Sequence, residues 1–96
     1  MNYREIIEDA LRTYGADAQK TMVVEECAEL INALAKQRRK RTSDMDIVTE
    51  IADVQIMLWQ MTALYGADAV NMEIAKKMKR LSERLQEHHE TAGTDK

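Results

Sequence analysis

The chain contains no proline, and its glycines are three: Gly15, Gly66 and Gly93. Proline removes a helical hydrogen bond and glycine costs backbone entropy, so long stretches lacking both are free to run as helix. Those stretches are filled mainly with Ala, Leu, Ile, Met, Glu, Lys, Arg and Gln, which are strong helix formers. An all-α fold is expected.

Apolar positions Tyr3, Ile6, Ile7, Ala10, Leu11 and Tyr14 recur at three- and four-residue steps, predicting a short first helix with one buried stripe. Gly15 stands where a left-handed residue ends it. A second helix is expected to begin near Asp17, acting as N-cap, and to run to about Lys40. The polar stretch Arg41-Thr42-Ser43-Asp44 predicts a turn plus cap, followed by a third helix to about Tyr65 that Gly66 ends. Asp68 is the expected cap of a fourth helix reaching roughly His89, with Thr91 to Lys96 expected as a disordered tail. Tyr-Gly-Ala-Asp-Ala occurs twice, at 14–18 and 65–69. The flanking residues do not match, so this is reused stop-and-cap chemistry rather than a repeat architecture. Short connections imply one domain over 1–90: a four-helix, bundle-like protomer with a short first helix, a long antiparallel hairpin and a fourth helix.

The chemistry lies in the hairpin. At about 100° per residue, Met22, Glu26, Glu29, Ala33 and Lys36 fall on one narrow stripe of the second helix. Asp46, Glu50, Asp53, Met57 and Gln60 form the matching stripe of the third. Such alternating four- and three-residue steps normally mark an apolar seam, yet the middle of each seam carries two acids. In an antiparallel hairpin, facing residues have numbers of constant sum. Glu29 with Glu50 and Glu26 with Asp53 satisfy one and the same sum, so four carboxylates are expected on one patch. Like charges beside an apolar wall must take up protons or bind cations. Mg²⁺ suits them, because it takes carboxylate and water oxygens and shares its shell with substrate phosphates. A single acidic pair at this spacing is common on solvated helices; two in matched seam positions carry the metal reading. A di-iron site of the ferritin type needs Glu-x-x-His pairs, and the two histidines, His88 and His89, lie far along the chain from these acids.

Composition excludes other classes. The formal net charge of −3 gives no long-range case for nucleic-acid binding. One cysteine, Cys27, permits neither an internal disulfide nor a Cys-based zinc motif, and its apolar face makes it an inert core residue. No apolar run reaches membrane-spanning length, and Met1 to Glu5 lack the layout of a signal peptide. A cytoplasmic protein with neither a membrane nor a nucleic-acid partner is expected.

Glu25-Glu26-x-x-Glu29, a basic polar connection, and Glu50-x-x-Asp53 in an apolar helix resemble the MazG-like all-α nucleoside triphosphate pyrophosphohydrolases. That superfamily includes dimeric dUTPases and dCTP pyrophosphatases, and the resemblance covers roughly Thr21 to Leu85. It implies Mg²⁺-dependent hydrolysis of a nucleoside triphosphate at the α–β linkage, giving the monophosphate and pyrophosphate, with Mn²⁺ as an alternative ion. Carried over, Glu26, Glu29, Glu50 and Asp53 match the metal-binding positions. Glu25 matches the first acid of the motif, for a second metal or for orienting the water, and Glu26 is placed with it among the catalytic acids. The fourth helix in similar proteins carries basic residues that meet the phosphates; Lys77 and Arg80 are the best matches, with Lys76 and Lys79 as neighbours. Asn71 is a candidate contact to phosphate or sugar. The lack of a second, tandem copy departs from full-length MazG and puts a broad housekeeping role in doubt.

Lys36-Gln37-Arg38-Arg39-Lys40-Arg41 is the densest basic run. It suits a solvated helix C-terminus first, attraction of a triphosphate entering beside the acids second, and a nucleic-acid contact last. Lys36 shares the acid stripe and is the substrate-binding candidate. Trp59 lies opposite Glu50 on the wheel, with Val48, Ala52 and Ile56, away from any base bound at the acids. The third helix is thus apolar on two sides, and Val24, Ala28, Ile31 and Ala35 give the second helix an extra apolar face. A homodimer or dimer of dimers is expected. The rival class is a non-catalytic helical interaction or regulatory module that retains the acidic patch.

Overall fold

The computed structural model describes residues 1–94, and among them the chain is helical throughout, with no strand. It divides into two compact units, Met1–Tyr65 and the segment from Gly66 onward. The first holds α1 (Tyr3–Tyr14), α2 (Ala16–Arg38) and α3 (Asp44–Tyr65); the second holds α4 (Ala67–Thr94).

Asn2 caps α1, its Oδ1 accepting the Glu5 N–H at 2.9 Å. Gly15 ends that helix at φ 90° with its N–H donated to the Leu11 carbonyl at 2.9 Å, and it also serves as N-cap of α2. No side chain supplies that cap. Asp17, the expected cap, stands inside the first turn, where its charge still favours the positive end of the helix dipole. Asp68 likewise lies in the first turn of α4, after Gly66 at φ 112°. In both junctions glycine reaches a backbone region closed to other residues, and the helix starts at once behind it.

The turn between α2 and α3 is closely specified. Lys40 sits at φ 59°, its N–H donated to the Gln37 carbonyl at 2.8 Å, while the Arg41 N–H reaches back to the Lys36 carbonyl at 2.9 Å. These are the paired bonds of a Schellman C-cap, here with lysine where glycine is usual. Ser43 then caps α3: Ser43 Oγ accepts the Asp46 N–H at 3.2 Å, and Asp46 Oδ2 accepts the Ser43 N–H at 3.2 Å. That reciprocal exchange is a capping box with aspartate in the acidic position.

Hydrogen bonds at both ends hold α2 and α3 antiparallel. Gln37 Nε2 donates to Asp44 Oδ1 at 2.7 Å near the turn, and Gln19 Nε2 donates to Gln60 Oε1 at the far end. Lys20 Nζ lies 5.2 Å from the centre of the Tyr65 ring. The buried apolar core of this unit is small: Ile7 from α1 with Ile47, Val54 and Met57 from α3. Gln19 and Gln60, at 6% and 4% exposure, are buried as deeply as any of these.

α1 covers part of one of the two apolar sides of α3, the one that carries Trp59. The Tyr3 and Trp59 rings lie 5.8 Å apart, and Ile6, Ile7, Ala52 and Ile56 join them around an apolar cavity of about 350 Å³. Other apolar side chains stay exposed, among them Val24 at 69%, Ile31 at 68%, Val48 at 54% and Ile51 at 52%.

α4 makes up the second unit. Its apolar stripe of Ile74, Met78, Leu81 and Leu85 is exposed, and Lys76 pairs with Glu73 at 3.3 Å. The helix continues past the expected end at His89 to Thr94, through part of the segment expected as a disordered tail. Glu87, Glu90 and Ala92 favour helix, and no breaker precedes Gly93. The rest of that tail lies outside the described residues. None of the helices among the described residues is long and apolar enough to cross a membrane.

Candidate metal and phosphate site

Helix phase and hairpin register bring three of the four paired acids together. Glu26 and Glu29 from α2 and Glu50 from α3 each offer a carboxylate oxygen within 4.8 Å of the others. Asp53 does not belong to that cluster, but its charge is felt there. Burial first, then the charges of Glu29 and Asp53, raise the Glu26 carboxyl above the ordinary glutamate range. The same order of causes raises Glu50, with Asp46 adding to it. Glu26 Oε2 and Glu50 Oε2 are buried atoms without a hydrogen-bond partner among the described residues.

An orphaned buried carboxylate oxygen is costly, because it has lost water and gained nothing. Two of them, on acids of one cluster, give it the chemistry of a hard-cation site: oxygen donors, excess negative charge and unfilled lone pairs. These residues therefore fit a divalent ion. Glu25, the remaining acid of the motif, is exposed and outside the cluster, in keeping with its direction off the stripe.

A polar cleft of about 450 Å³ opens beside the acids, between the C-terminal half of α2 and the N-terminal half of α3. Glu29, Asp46 and Glu50 form its acidic wall. Lys36 and Arg41 bring positive charge to the same space, with Asn32, Thr42 and Thr49 as neutral polar groups. Of these, sequence reasoning singled out Glu29, Lys36 and Glu50 as site residues. Asn32 was legible as the residue one turn beyond Glu29 on the same face, and Thr49 as the neighbour of Glu50. Asp46 was placed on the α3 stripe, but its carboxylate serves the cap: Thr42 Oγ1 donates to it at 2.6 Å, and these bonds hold it below the usual aspartate range.

The α4 candidates Asn71, Lys77 and Arg80 are all exposed on their own helix. Trp59 lines the apolar cavity against α1 and is not among the residues of the polar cleft. Comparison with known proteins adds no relative: no family model, no curated protein and no solved structure matches the chain.

Proposed function

We propose that this chain is a Mg²⁺-dependent nucleoside triphosphate pyrophosphohydrolase, cleaving a (deoxy)nucleoside triphosphate at the α–β linkage and acting in the cytoplasm. The supporting observation is the joined geometry of the hairpin. Three convergent carboxylates, two with orphaned buried oxygens, adjoin a cleft that also carries Lys36 and Arg41. In this reading Glu26, Glu29, Glu50 and Asp53 hold the ion, and Mn²⁺ substitutes for Mg²⁺. When bound, a divalent ion neutralises phosphate charge and makes a bound water more acidic. Glu25 either serves a second ion or orients the attacking water, for which its exposed position leaves it free. Lys36 meets the phosphates from α2; Asn71, Lys77 and Arg80 are the substrate contacts assigned to α4.

The test is a panel of nucleoside and deoxynucleoside triphosphates with Mg²⁺ or Mn²⁺, scored by pyrophosphate release. Turnover of at least one supports the reading; a folded protein inert on all of them sinks it. Inert protein that is still stabilised by Mg²⁺ would instead be the metal-binding interaction module.

The assembly we propose is a helical homodimer or dimer of dimers built from bundle-like protomers. Val24 and Ile31 on α2, with Val48 and Ile51 on α3, support it, because exposed aliphatic side chains in such number are costly in water. Sedimentation equilibrium across a hundredfold range of concentration tests it, and a monomer throughout would overturn it.

A further inference from the structure

We infer that Lys36 and Arg41, alone of the basic run, form an anion clamp that binds the phosphate chain of a metal-bound oligophosphate opposite Glu29 and Glu50; this rests on the hydrolase reading. Six positions from 36 to 41 hold five cations, yet only these two line the cleft. Neither forms an ion pair among the described residues, although acidic side chains line the same space. Cations and carboxylates that share a cleft without pairing suit a ligand carrying both signs, which an oligophosphate with its divalent ion does.

The backbone presents Arg41 in a defined way. Its N–H is bound to the Lys36 carbonyl at 2.9 Å, so the two clamp residues are joined through the Schellman turn. On the other side, Thr42 and Ser43 are tied to Asp46. The turn is thus braced from both helices. The walls also define the ligand class: apart from Ala33 they are polar or charged, and none is aromatic. Such a cleft offers a base no aromatic stacking surface, whereas its cations and hydroxyls suit a phosphate chain.

Inorganic tripolyphosphate with Mg²⁺ is the probe, titrated calorimetrically into the full chain. Lys36→Ala and Arg41→Ala should each weaken binding about tenfold, the scale of one charged hydrogen bond. Arg38→Ala, which removes the same charge from the same run, should stay within about twofold. Arg41→Lys should fall between wild type and Arg41→Ala, because lysine keeps the charge and loses the forked donor. Absence of tripolyphosphate binding by the wild type, or equal losses in Arg38→Ala and Arg41→Ala, overturns the clamp. Lys36→Ala is an independent check should Arg41→Ala disturb the turn. Triphosphate turnover separates the two ideas. Hydrolysis with KM unmoved in both clamp variants overturns the clamp and leaves the hydrolase standing. The predicted binding pattern in a chain inert on every nucleotide overturns the hydrolase and leaves the clamp.

Discussion

Gln19 and Gln60 are joined by a hydrogen bond in the most deeply buried part of the hairpin, and their numbers have the same sum as Glu26 with Asp53 and Glu29 with Glu50. The register that brings the acids together is therefore marked at its far end by a neutral polar pair. Gln60 is further satisfied by a contact from its Nε2 to Met57 Sδ at 3.6 Å.

Replacing only one glutamine strands a buried amide. Gln19→Leu or Gln60→Leu is expected to cost about 1–3 kcal/mol, the penalty of an unsatisfied buried polar group. The double variant should recover much of that, since neither partner is then left unpaired. Urea unfolding of the four proteins measures the coupling, and strictly additive losses would contradict it.

The acid cluster should make the metal-free protein respond to pH in a defined direction. Glu26 and Glu50 have folded values raised by burial and by neighbouring carboxylates, so their protonated forms favour the fold. Their contribution is complete below the ordinary glutamate value of 4.5 and is lost as pH rises through the raised values. Asp46 has the opposite sign: its contribution is present above the ordinary 3.8 and is lost as pH falls through its lowered value. Thermal midpoints without metal should show Glu26→Gln and Glu50→Gln gaining on the wild type from about pH 4.5 toward neutrality. A constant difference over that range would remove the electrostatic account.

Metal should reverse the balance. Mg²⁺ at about a hundred times its dissociation constant is expected to stabilise the wild type by about 2.7 kcal/mol. Glu50→Gln and Asp53→Asn should lose most of that gain while exceeding the wild type when no metal is present. Equal Mg²⁺ shifts in wild type and both variants would show that the ion binds elsewhere.

Lys40 holds a left-handed conformation at φ 59°, which glycine adopts without a Cβ penalty. Lys40→Gly is expected to raise stability by about 0.5–1 kcal/mol. Ser43→Ala, which removes the α3 cap, should lower it by about 1 kcal/mol. The two changes flank one turn and act through different bonds, so chemical denaturation of the pair should give nearly additive effects. A destabilised Lys40→Gly protein would show that the lysine side chain outweighs its backbone cost.

Helix phase and register were legible in the sequence because both follow from periodicity and chain connectivity. A breaker-free stretch with Gly15 and Gly66 at its edges yields α2 and α3, and a constant sum across their turn yields the facing of Glu29 with Glu50. Periodicity gives only the direction of a side chain around its helix. Which oxygens approach, and which are diverted, depends on packing and local hydrogen bonds. Tertiary structure therefore decided that Asp53 stands outside the close cluster. The commitment of Asp46 to the Ser43 cap is local instead, made by residues three apart at one helix start. Tertiary structure also decided that α1 lies across Trp59, and that Lys36 and Arg41 share a cleft with the acids. The physical reason is range: a wheel records angles within one helix, whereas burial and charge pairing are settled only where helices meet.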